Sequence, residues 1–533
     1  MTLHGMNFVA GGLTAENSTT LTAVDPATEL KLETNFHHAS EDELDRAVKE
    51  ADLATREMRE LPVKRRSSLL RKMATEIDLL GDELIVRCSA ETGLPVSRFE
   101  GERVRMTNQL RMFADLVDEG SWVDARIDTA IPDRKPLPKP DVRRMLISLG
   151  PVAVFCASNF PLAFSVGGGD TASAIAAGCG VVVKAHGSHP GTAELVATAL
   201  TRAIAKERMP RGAFSLIHGP GATVGTALVK HPLICAVGFT GSRTGGTALI
   251  DAAASRPDPI PVYAEMGSIN PVFILPGALA ERAAALADGI KNSVTLGVGQ
   301  FCTNPGLIVG VKSPQLSSFV QSLGGLMGSV PPQPMLNAKI YRSYTAGVEE
   351  LKDSAEVRIE AEAEQESLPN RASAAVLATD AATFVANRQL AEEVFGPSTL
   401  VVEGASHSEL IDVAEHLAGH LTATVHGSEA DLAEYRDLVA ILERKVGRLI
   451  FNGVPTGVEV CHSMNHGGPY PASADPHFTS VGTAAIFRFA RPICYQGFPE
   501  SQLPPELRDS NPLQIYRLLD GVIDNGVVNG QQN

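Results

Sequence analysis

The chain of 533 residues has little cysteine, few aromatic residues and no block of basic charge. Its seven cysteines form no C-x-x-C pair, so a disulfide framework is not expected and a reducing cytoplasm is the predicted compartment. An aromatic content of 5% with a single tryptophan argues against an aromatic-rich β-sandwich. Acidic residues outnumber basic ones by 61 to 46, for a net charge of −15. We therefore expect no nucleic-acid partner.

A long stretch from Met145 to Gly169 carries no charge and has the length of a membrane span. Pro151, Asn159 and Pro161 interrupt it, and such residues would break a spanning helix. The amino terminus also lacks the basic and apolar regions of a secretory signal. We therefore expect no membrane partner.

Two amphipathic helices are predicted in the first hundred residues. Ser40 and Glu43 form a capping-box pattern before apolar residues at helical spacing. A second helix is predicted to follow Pro62 and to stop at Gly81. The four prolines of 128–141 then indicate an extended connector, which leads into a predicted projecting strand at 142–149.

From residue 151 onward, short apolar runs alternate with alanine-rich helical runs. The first series of predicted strands covers 151–157, 181–184, 213–219, 236–241 and 262–266. The second series covers 307–311, 374–379, 398–404, 421–427 and 447–453. Such alternation is typical of parallel sheets covered by helices on both faces. The sequence predicts two α/β domains in tandem, followed by a strand-like run at 484–495 and a closing amphipathic segment near 513–522.

Three polar residues stand at positions where an α/β enzyme would use them. Cys302 lies on a glycine-flanked turn, Glu265 ends a predicted strand, and Asn159 follows another strand. Open α/β sheets bind ligands beyond the carboxyl ends of their strands. A thiol nucleophile, a carboxylate base and an amide donor for an oxyanion together form an acyl-transfer set. Taken singly, Cys302 could be a small core residue and Asn159 a turn residue.

Five short segments follow one another along the chain: SNFP (158–161), FTGS (239–242), AEMGS (264–268), GQFCTNPG (299–306) and EEVFGP (392–397). In this order and spacing they resemble the aldehyde dehydrogenase superfamily, and the resemblance covers nearly the whole chain. It implies that Cys302 is the nucleophile, Glu265 the general base, and Asn159 with the backbone amide of Cys302 the oxyanion hole. The implied reaction converts an aldehyde to a carboxylic acid through a thiohemiacetal and a thioester.

The resemblance also implies a domain organisation. Residues 1–127 and 151–275 are expected to form a Rossmann-like dinucleotide-binding domain, and 276–484 the catalytic domain. Residues 128–150 and 485–533 are expected to form a small β oligomerisation element. The projecting strand and the tail indicate an assembly of copies, a homodimer or a homotetramer.

Cofactor contacts carry over from the family by motif. Lys184 is expected at the adenosine ribose, where Gly187 and Ser188 leave room for a 2′-phosphate. Many NAD-preferring relatives place a glutamate where this chain has Gly187, so we predict NADP as the preferred cofactor, with NAD as a possible substitute. The other expected contacts are Gly219 in a glycine-rich turn, Gly241 and Ser242 under the pyrophosphate, and Glu393 and Phe395 at the nicotinamide ribose.

Departures from the family pattern narrow the resemblance to a subgroup. Ser158 replaces a tryptophan, Ser268 replaces a glycine, and the late segment reads MNHGGPYPASADPHF (464–478). With KAHGSHPGT (184–192), the chain is most similar to bacterial α-ketoglutarate semialdehyde (2,5-dioxopentanoate) dehydrogenases and to a related NADP-dependent fatty aldehyde dehydrogenase. The expected reaction is therefore α-ketoglutarate semialdehyde to α-ketoglutarate, with a fatty or aliphatic aldehyde as the alternative.

A ketoacid aldehyde needs a cation to bind its carboxylate. The predicted helix at 101–117 offers Arg103, Arg105 and Arg111. We expect Arg111 to serve, in which case Arg111→Ala raises KM only for the ketoacid aldehyde. A solvated helix face is the alternative explanation of these arginines.

The histidines near the carboxyl terminus could instead belong to a zinc site. Cys461, His462, His466 and His477 have a ligand-like spacing. No second cysteine pair accompanies them, and the family that the chain resembles uses no metal. We expect no metal and place His466 at the mouth of the active site.

Three other functions stay open at this point. A CoA-acylating relative is disfavoured because Glu265 is present to activate water. A cysteine hydrolase using Cys302 and His466 would leave EEVFGP (392–397) without a role. An inactive structural relative is disfavoured because all three predicted catalytic residues are present.

Overall fold

The computed structural model describes residues 2–354 and 356–528. Its strands are β1 (Asn7–Val9), β2 (Gly12–Thr14), β3 (Thr20–Val24), β4 (Lys31–His37), β5 (Arg126–Asp128), β6 (Val142–Ser148), β7 (Val152–Phe155), β8 (Val181–Lys184), β9 (Phe214–Ile217), β10 (Ala236–Thr240), β11 (Val262–Glu265), β12 (Val272–Ile274), β13 (Leu307–Val311), β14 (Gln333–Pro334), β15 (Arg358–Glu362), β16 (Arg371–Ala372), β17 (Ala375–Asp380), β18 (Ser398–Gly404), β19 (His420–His426), β20 (Val446–Phe451), β21 (Ala490–Gln496), β22 (Arg517–Leu519) and β23 (Val522–Asp524).

The helices are α1 (Glu41–Glu60), α2 (Val63–Asp78), α3 (Gly81–Thr92), α4 (Val96–Glu119), α5 (Gly169–Ala177), α6 (Pro190–Lys206), α7 (Thr226–Lys230), α8 (Arg243–Ala254), α9 (Pro276–Thr295), α10 (Pro314–Gly328), α11 (Ala338–Lys352), α12 (Ala381–Ala386), α13 (His407–His416), α14 (Glu429–Glu434) and α15 (Arg436–Lys445). No helix among the described residues is both long and apolar enough to cross a lipid bilayer.

The first seven-stranded sheet has the order β11-β10-β7-β8-β9-β1-β2. Strands β7 to β11 are parallel, and β1 and β2 are added in antiparallel fashion at one edge. The chain builds outward from β7 in one direction through β8 and β9, then in the other through β10 and β11. Such a reversal of strand order opens a crevice at the carboxyl ends of the strands. The predicted α/β fold with a doubly wound sheet is confirmed.

The second seven-stranded sheet has the order β15-β17-β18-β13-β12-β19-β20. All neighbours in it are parallel except β15, which pairs with β17 in antiparallel fashion at the edge. The sequence missed β12, which is only three residues long. A further five-stranded sheet, β21-β6-β5-β22-β23, contains the predicted projecting strand. The domain boundaries given above remain a prediction.

Local signals explain several element boundaries. Ser40 accepts a hydrogen bond from the Glu43 backbone and Glu43 returns one, so the predicted capping box starts α1. The second helix ends at Asp78, three residues before the predicted stop at Gly81. Gly81 has a positive φ, which glycine adopts readily, and it is the first residue of α3.

The carboxyl-terminal part differs from the prediction. The first half of the strand-like run is a 3₁₀ helix (Thr483–Phe489), and only Ala490–Gln496 pairs as a strand, with β6. The closing amphipathic segment folds as the hairpin of β22 and β23, because Asp520 and Gly521 both take positive φ. An Asp-Gly pair favours this tight turn. Positions 529–533 of the predicted oligomerisation element lie outside the described residues.

Candidate active site

Cys302 lies on a turn that precedes β13. Gly299 adopts a φ of +68°, and a Cβ atom there would lie 2.2 Å from the Gly396 backbone, so only glycine fits. The Asn270 side chain donates to the carbonyl oxygens of Cys302, at 2.8 Å, and Asn304, at 2.9 Å. These contacts fix the backbone that carries the thiol.

Glu265 is the last residue of β11, at the carboxyl edge of the first sheet. A late segment of the chain pairs with this strand: Met266 N donates to Ala472 O and Ala474 N to Ala264 O, both at 2.8 Å. This pairing extends the sheet beyond β11. It carries residues from the far end of the sequence to the glutamate.

His466 joins the thiol and the carboxylate in one buried cluster. Its Nε2 lies 3.6 Å from Cys302 Sγ and 3.0 Å from Glu265 Oε1. Ser480 Oγ donates a hydrogen bond to the other Glu265 oxygen. His466 and Glu265 are 0% and 4% exposed. A potential proton acceptor therefore lies beside the sulfur.

The environment has opposite effects on the two acids of this cluster. Burial raises the pKa of the Cys302 thiol well above its usual value, and the nearby carboxylates of Glu265 and Glu393 raise it further. Burial also acts to raise the pKa of Glu265, but His466 and the hydrogen bond from Ser480 outweigh it, so the pKa is lowered. At neutral pH the cluster thus pairs a protonated thiol with an ionised carboxylate.

Asn159 lies in the loop after β7 and faces the same turn. Its Nδ2 donates to Gln300 O at 3.0 Å, which uses one of the two N–H donors of the amide. Phe160 and Phe301 pack edge to face at 5.2 Å, and the guanidinium of Arg98 lies over both rings. The Asn159 loop and the Cys302 turn are therefore held together.

The predicted ribose-binding residues lie at the carboxyl end of β8. Lys184 ends this strand, is only 8% exposed, and has no hydrogen-bond or ion-pair partner within the described part of the chain. A Cβ atom at Gly187 would meet no atom within 4 Å. Ser188 Oγ instead accepts a hydrogen bond from Asn337 at 3.0 Å. A buried cation thus lies beside open space.

The predicted pyrophosphate turn lies at the start of α8. Ser242 is the N-cap, and its side chain accepts from Gly245 N at 3.2 Å. A Cβ atom at Gly241 would lie 2.7 Å from the Phe239 ring, and one at Gly219 would lie 2.4 Å from Val224. The N-terminus of a twelve-residue helix has free N–H groups that bind phosphate oxygens.

Glu393 and Phe395 line a cleft with Ser268 and Asn304. Glu393 Oε1 accepts a hydrogen bond from Ser268 N at 3.3 Å. Although solvent reaches this cleft, the surrounding protein desolvates the carboxylate and raises the pKa of Glu393 to about 7. A Cβ atom at Gly267 would lie 2.3 Å from Glu393 Oε2, so this glycine lets the glutamate reach the site.

The three arginines of α4 have different surroundings. Arg111 forms an ion pair with Asp78 at 2.5 Å on the surface, and Arg103 donates to Gly81 O at 2.9 Å. Arg105 instead donates to Val458 O, and its positive charge acts to lower the pKa of the Cys302 thiol against the larger effect of burial. The expectation that Arg111 faces the substrate is therefore wrong.

The four residues with zinc-like spacing, Cys461, His462, His466 and His477, do not form a metal-binding cluster among the described residues. Among the described residues, the one cluster with three potential metal ligands is Glu265, Cys302 and His466. The His477 side chain is 82% exposed and pairs with Asp475. Sequence reasoning missed Ser480 and Asn270, both of which lie close in the sequence to recognised motif residues.

Comparison with known proteins identifies the family of this chain. The aldehyde dehydrogenase family model matches residues 13–470, and the chain belongs to that family, whose members are oxidoreductases acting on aldehydes. It is 48% identical over 522 residues to alpha-ketoglutaric semialdehyde dehydrogenase 2 of Azospirillum brasilense, covering 98% of this chain and 99% of the relative.

Two further relatives extend the comparison. The chain is 45% identical over 521 residues to alpha-ketoglutaric semialdehyde dehydrogenase of Acinetobacter baylyi, with 98% and 99% of the two chains covered. An aldehyde dehydrogenase from Bacillus cereus, solved as an NAD⁺ complex, superposes with a TM-score of 0.80 at 21% identity and covers 93% and 96% of the two chains. At this identity, the similarity to the Bacillus cereus enzyme shows a shared fold.

Proposed function

We propose that this protein oxidises α-ketoglutarate semialdehyde to α-ketoglutarate, with NADP as the preferred cofactor and NAD as a substitute. The observation that carries the proposal is the buried cluster in which His466 Nε2 lies 3.6 Å from Cys302 Sγ and 3.0 Å from Glu265 Oε1. Near-complete coverage of two relatives named for this substrate supports the choice of aldehyde.

In the first step the Cys302 sulfur attacks the aldehyde carbon. The thiol proton moves to His466 Nε2 or Glu265 Oε1, the two acceptors nearest to the reacting group. The oxyanion that forms accepts hydrogen bonds from the free N–H of Asn159 and from the backbone N–H of Cys302. Because the Asn159 amide is already oriented by Gln300 O, it needs little reorganisation to bind the oxyanion.

Before hydrolysis the proton taken from the thiol leaves to solvent, so the Glu265 carboxylate is ionised when it acts as the base for thioester hydrolysis. This carboxylate takes a proton from a water molecule, and the resulting hydroxide attacks the thioester carbon. The C–S bond breaks, the carboxylic acid leaves, and the Cys302 sulfur takes the proton that Glu265 removed from the water molecule. The lowered pKa of Glu265 keeps it ionised for this role, and the hydrogen bond from Ser480 orients it.

The residues present fit a nicotinamide dinucleotide. When bound, the nicotinamide supplies the hydride acceptor of the oxidation. Lys184 is a buried cation without an anionic partner among the described residues, so a ribose phosphate would neutralise it. The open space at Gly187 admits a 2′-phosphate, while Gly241 and Ser242 would hold the pyrophosphate and Glu393 and Phe395 the nicotinamide ribose. The absence of a carboxylate at 187 supports NADP over NAD.

A cysteine hydrolase is the weaker proposal. In a hydrolase triad the third group orients the histidine through the ring nitrogen that does not face the nucleophile. Here His466 uses the same Nε2 towards both Cys302 and Glu265, and its Nδ1 has no hydrogen-bond partner within the described residues. A fatty aldehyde substrate and a CoA-acylating reaction remain the nearer alternatives.

We also propose that copies of the chain assemble, as a homodimer or a homotetramer, through the five-stranded sheet. Strand β23 exposes Val522 and Ile523, at 66% and 73%. Strand β21 lies at the other edge of this sheet. An unpaired strand edge and exposed apolar side chains are features that association would cover.

A spectrophotometric assay tests the proposed reaction. Reduction of NADP and NAD is followed in parallel with α-ketoglutarate semialdehyde, succinic semialdehyde and a medium-chain aliphatic aldehyde. We expect the highest kcat/KM for the ketoacid aldehyde with NADP. A preference for the aliphatic aldehyde would assign the chain to the fatty aldehyde subgroup, and no reduction with any pair would contradict the proposal.

A further inference from the structure

Two arginines near the catalytic turn form no ion pair among the described residues, although the charges of Glu102 and Glu459 act on Arg105. Arg105 belongs to α4 and Arg448 to β20, and neither forms an ion pair within the described part of the chain. Arg105 donates to Val458 O, and Arg448 donates to Pro455 O at 2.7 Å and Gly457 O at 3.1 Å. The two guanidinium groups thus hold the same loop, residues 455–458, from different elements of the fold.

The loop that they hold continues into an apolar wall that reaches His466 through Phe164. Its continuation packs Val458, Val460 and Met464 against Phe164 and Ala163 in a small apolar cluster. The Arg105 guanidinium lies 5.6 Å from the centre of the Phe164 ring, and the same ring lies 6.3 Å from the imidazole of His466. This wall therefore joins the catalytic cluster to Arg105.

Both cations are near enough to act on the thiol and on each other. The positive charge of Arg105 lowers the pKa of Cys302 against the larger effect of burial, and the charge of Arg448 interacts with those of Cys302 and Arg105. Burial lowers the pKa of each guanidinium. Each Nε atom is also buried without a hydrogen-bond partner among the described residues. Both side chains are only partly buried, and a bound carboxylate would offset the cost of that partial desolvation.

The other arginines nearby are already engaged. Arg98 lies 3.7 Å from Glu102 and covers the rings of Phe160 and Phe301. Arg111 is paired with Asp78 on the surface. Among the described arginines near Cys302, the two without an ion pair are therefore Arg105 and Arg448.

We propose that Arg105 and Arg448 form the subsite that binds the carboxylate of the ketoacid aldehyde while its aldehyde carbon meets Cys302. The inference rests on the proposed function, because it assumes a substrate with an acid group at the far end. A guanidinium presents donors in a fork that matches a carboxylate. The apolar wall that separates Arg105 from His466 suits the methylene groups that separate the two ends of such a substrate.

The test compares KM for a charged and an uncharged aldehyde. Arg105→Met and Arg448→Met are measured with α-ketoglutarate semialdehyde and with pentanal, and Arg111→Met on the same helix as Arg105 is the matched control. We expect each of the first two variants to raise KM for the ketoacid aldehyde roughly ten- to one-hundred-fold more than KM for pentanal. Arg111→Met should behave as the wild type with both aldehydes.

A second pair of variants covers the case in which removing the guanidinium disturbs the loop. Arg105→Lys and Arg448→Lys keep the cation but not the fork, so they should restore part of the selectivity for the ketoacid aldehyde. Equal changes for both aldehydes in the methionine and the lysine variants would overturn the subsite. If the wild type itself prefers pentanal, the proposed function fails; if it prefers the ketoacid and the variants do not discriminate, only the subsite fails.

Discussion

The Nε2 atom of His466 lies 3.0 Å from Oε1 of Glu265, although the two residues are far apart in the sequence. The same nitrogen lies 3.6 Å from the sulfur of Cys302. Because the ionised carboxylate of Glu265 favours a proton on Nε2, the imidazole can act as a relay that passes this proton to Glu265 and takes up the thiol proton in its place. From this geometry we expect His466 to lower the barrier to forming the thiolate.

We expect His466→Asn to slow both turnover and modification of the thiol. Positioned acid–base groups contribute on the order of 10²–10⁴ in rate, and kcat should fall by about a hundredfold. The rate of alkylation of Cys302 by iodoacetamide, measured against pH, should show a midpoint shifted upward. The control His462→Asn changes an exposed histidine of the same segment. An unchanged alkylation profile in His466→Asn would remove the histidine from this step.

Asn159→Ala tests the oxyanion donor. Losing one such donor costs on the order of 10²–10³ in kcat, and we expect this loss because the side chain is already oriented by Gln300 O. Steady-state rates with saturating aldehyde measure it. Asn292→Ala, on the exposed surface of α9, should have no effect. A reduction of less than about threefold in Asn159→Ala would contradict the predicted role.

Gly187→Glu tests cofactor preference. A side chain there enters open space, so the fold should tolerate it, and its carboxylate should repel a 2′-phosphate. We expect the ratio of kcat/KM for NADP over NAD to fall roughly ten- to one-hundred-fold, as for two like charges at close range. Gly325→Glu, at another position where a Cβ meets no neighbour, is the control. Unchanged preference would place the 2′-phosphate elsewhere.

Stability should decline in mild acid because several buried histidines stay neutral in the folded chain. Burial lowers the pKa of His218 to about 3 and of His420 and His426 to about 4. The unfolded chain, with a histidine pKa of about 6.5, therefore binds more protons below that pH. The free energy of unfolding is highest above about pH 6.5 and falls as the pH approaches 4. Each imidazole contributes up to about 1.4 kcal/mol per pH unit.

Thermal unfolding between pH 7.5 and 4.5 measures this effect. His420→Leu should reduce the slope, because neither ring nitrogen has a hydrogen-bond partner among the described residues and an apolar side chain leaves none unsatisfied. His477→Leu, at an exposed position, should keep the wild-type slope. Equal slopes in both variants and the wild type would show that buried histidines do not govern acid stability.

Much of the fold follows from local signals in the sequence. The capping box at Ser40 starts α1 as predicted, and the apolar runs of both sheets form strands within a residue or two of their predicted bounds. Each of these signals involves only residues that are close in the sequence, so it can be identified from one sequence alone. The position of Glu265 at the end of a strand was predictable for the same reason.

The parts that failed depend on contacts between distant segments. His466 and Ser480 reach Glu265 because residues 472–474 pair with the edge of β11. The sequence of this segment has no periodic pattern that would predict the pairing. Arg105 and Arg111 are six residues apart, which turns them to different faces of α4. The packing of α4 therefore decides that Arg105 faces the site and Arg111 the surface, although both belong to the same run of charges.

Intact-protein mass spectrometry of Glu265→Gln tests the central claim, that Cys302 carries the acyl group and Glu265 removes it. The variant is mixed with α-ketoglutarate semialdehyde and NADP, quenched in acid, and digested to locate any adduct. We predict a burst of about one equivalent of NADPH per site, slow turnover, and an acyl adduct on Cys302, with none in Cys302→Ala. No burst and no adduct on Cys302 would contradict this division of roles.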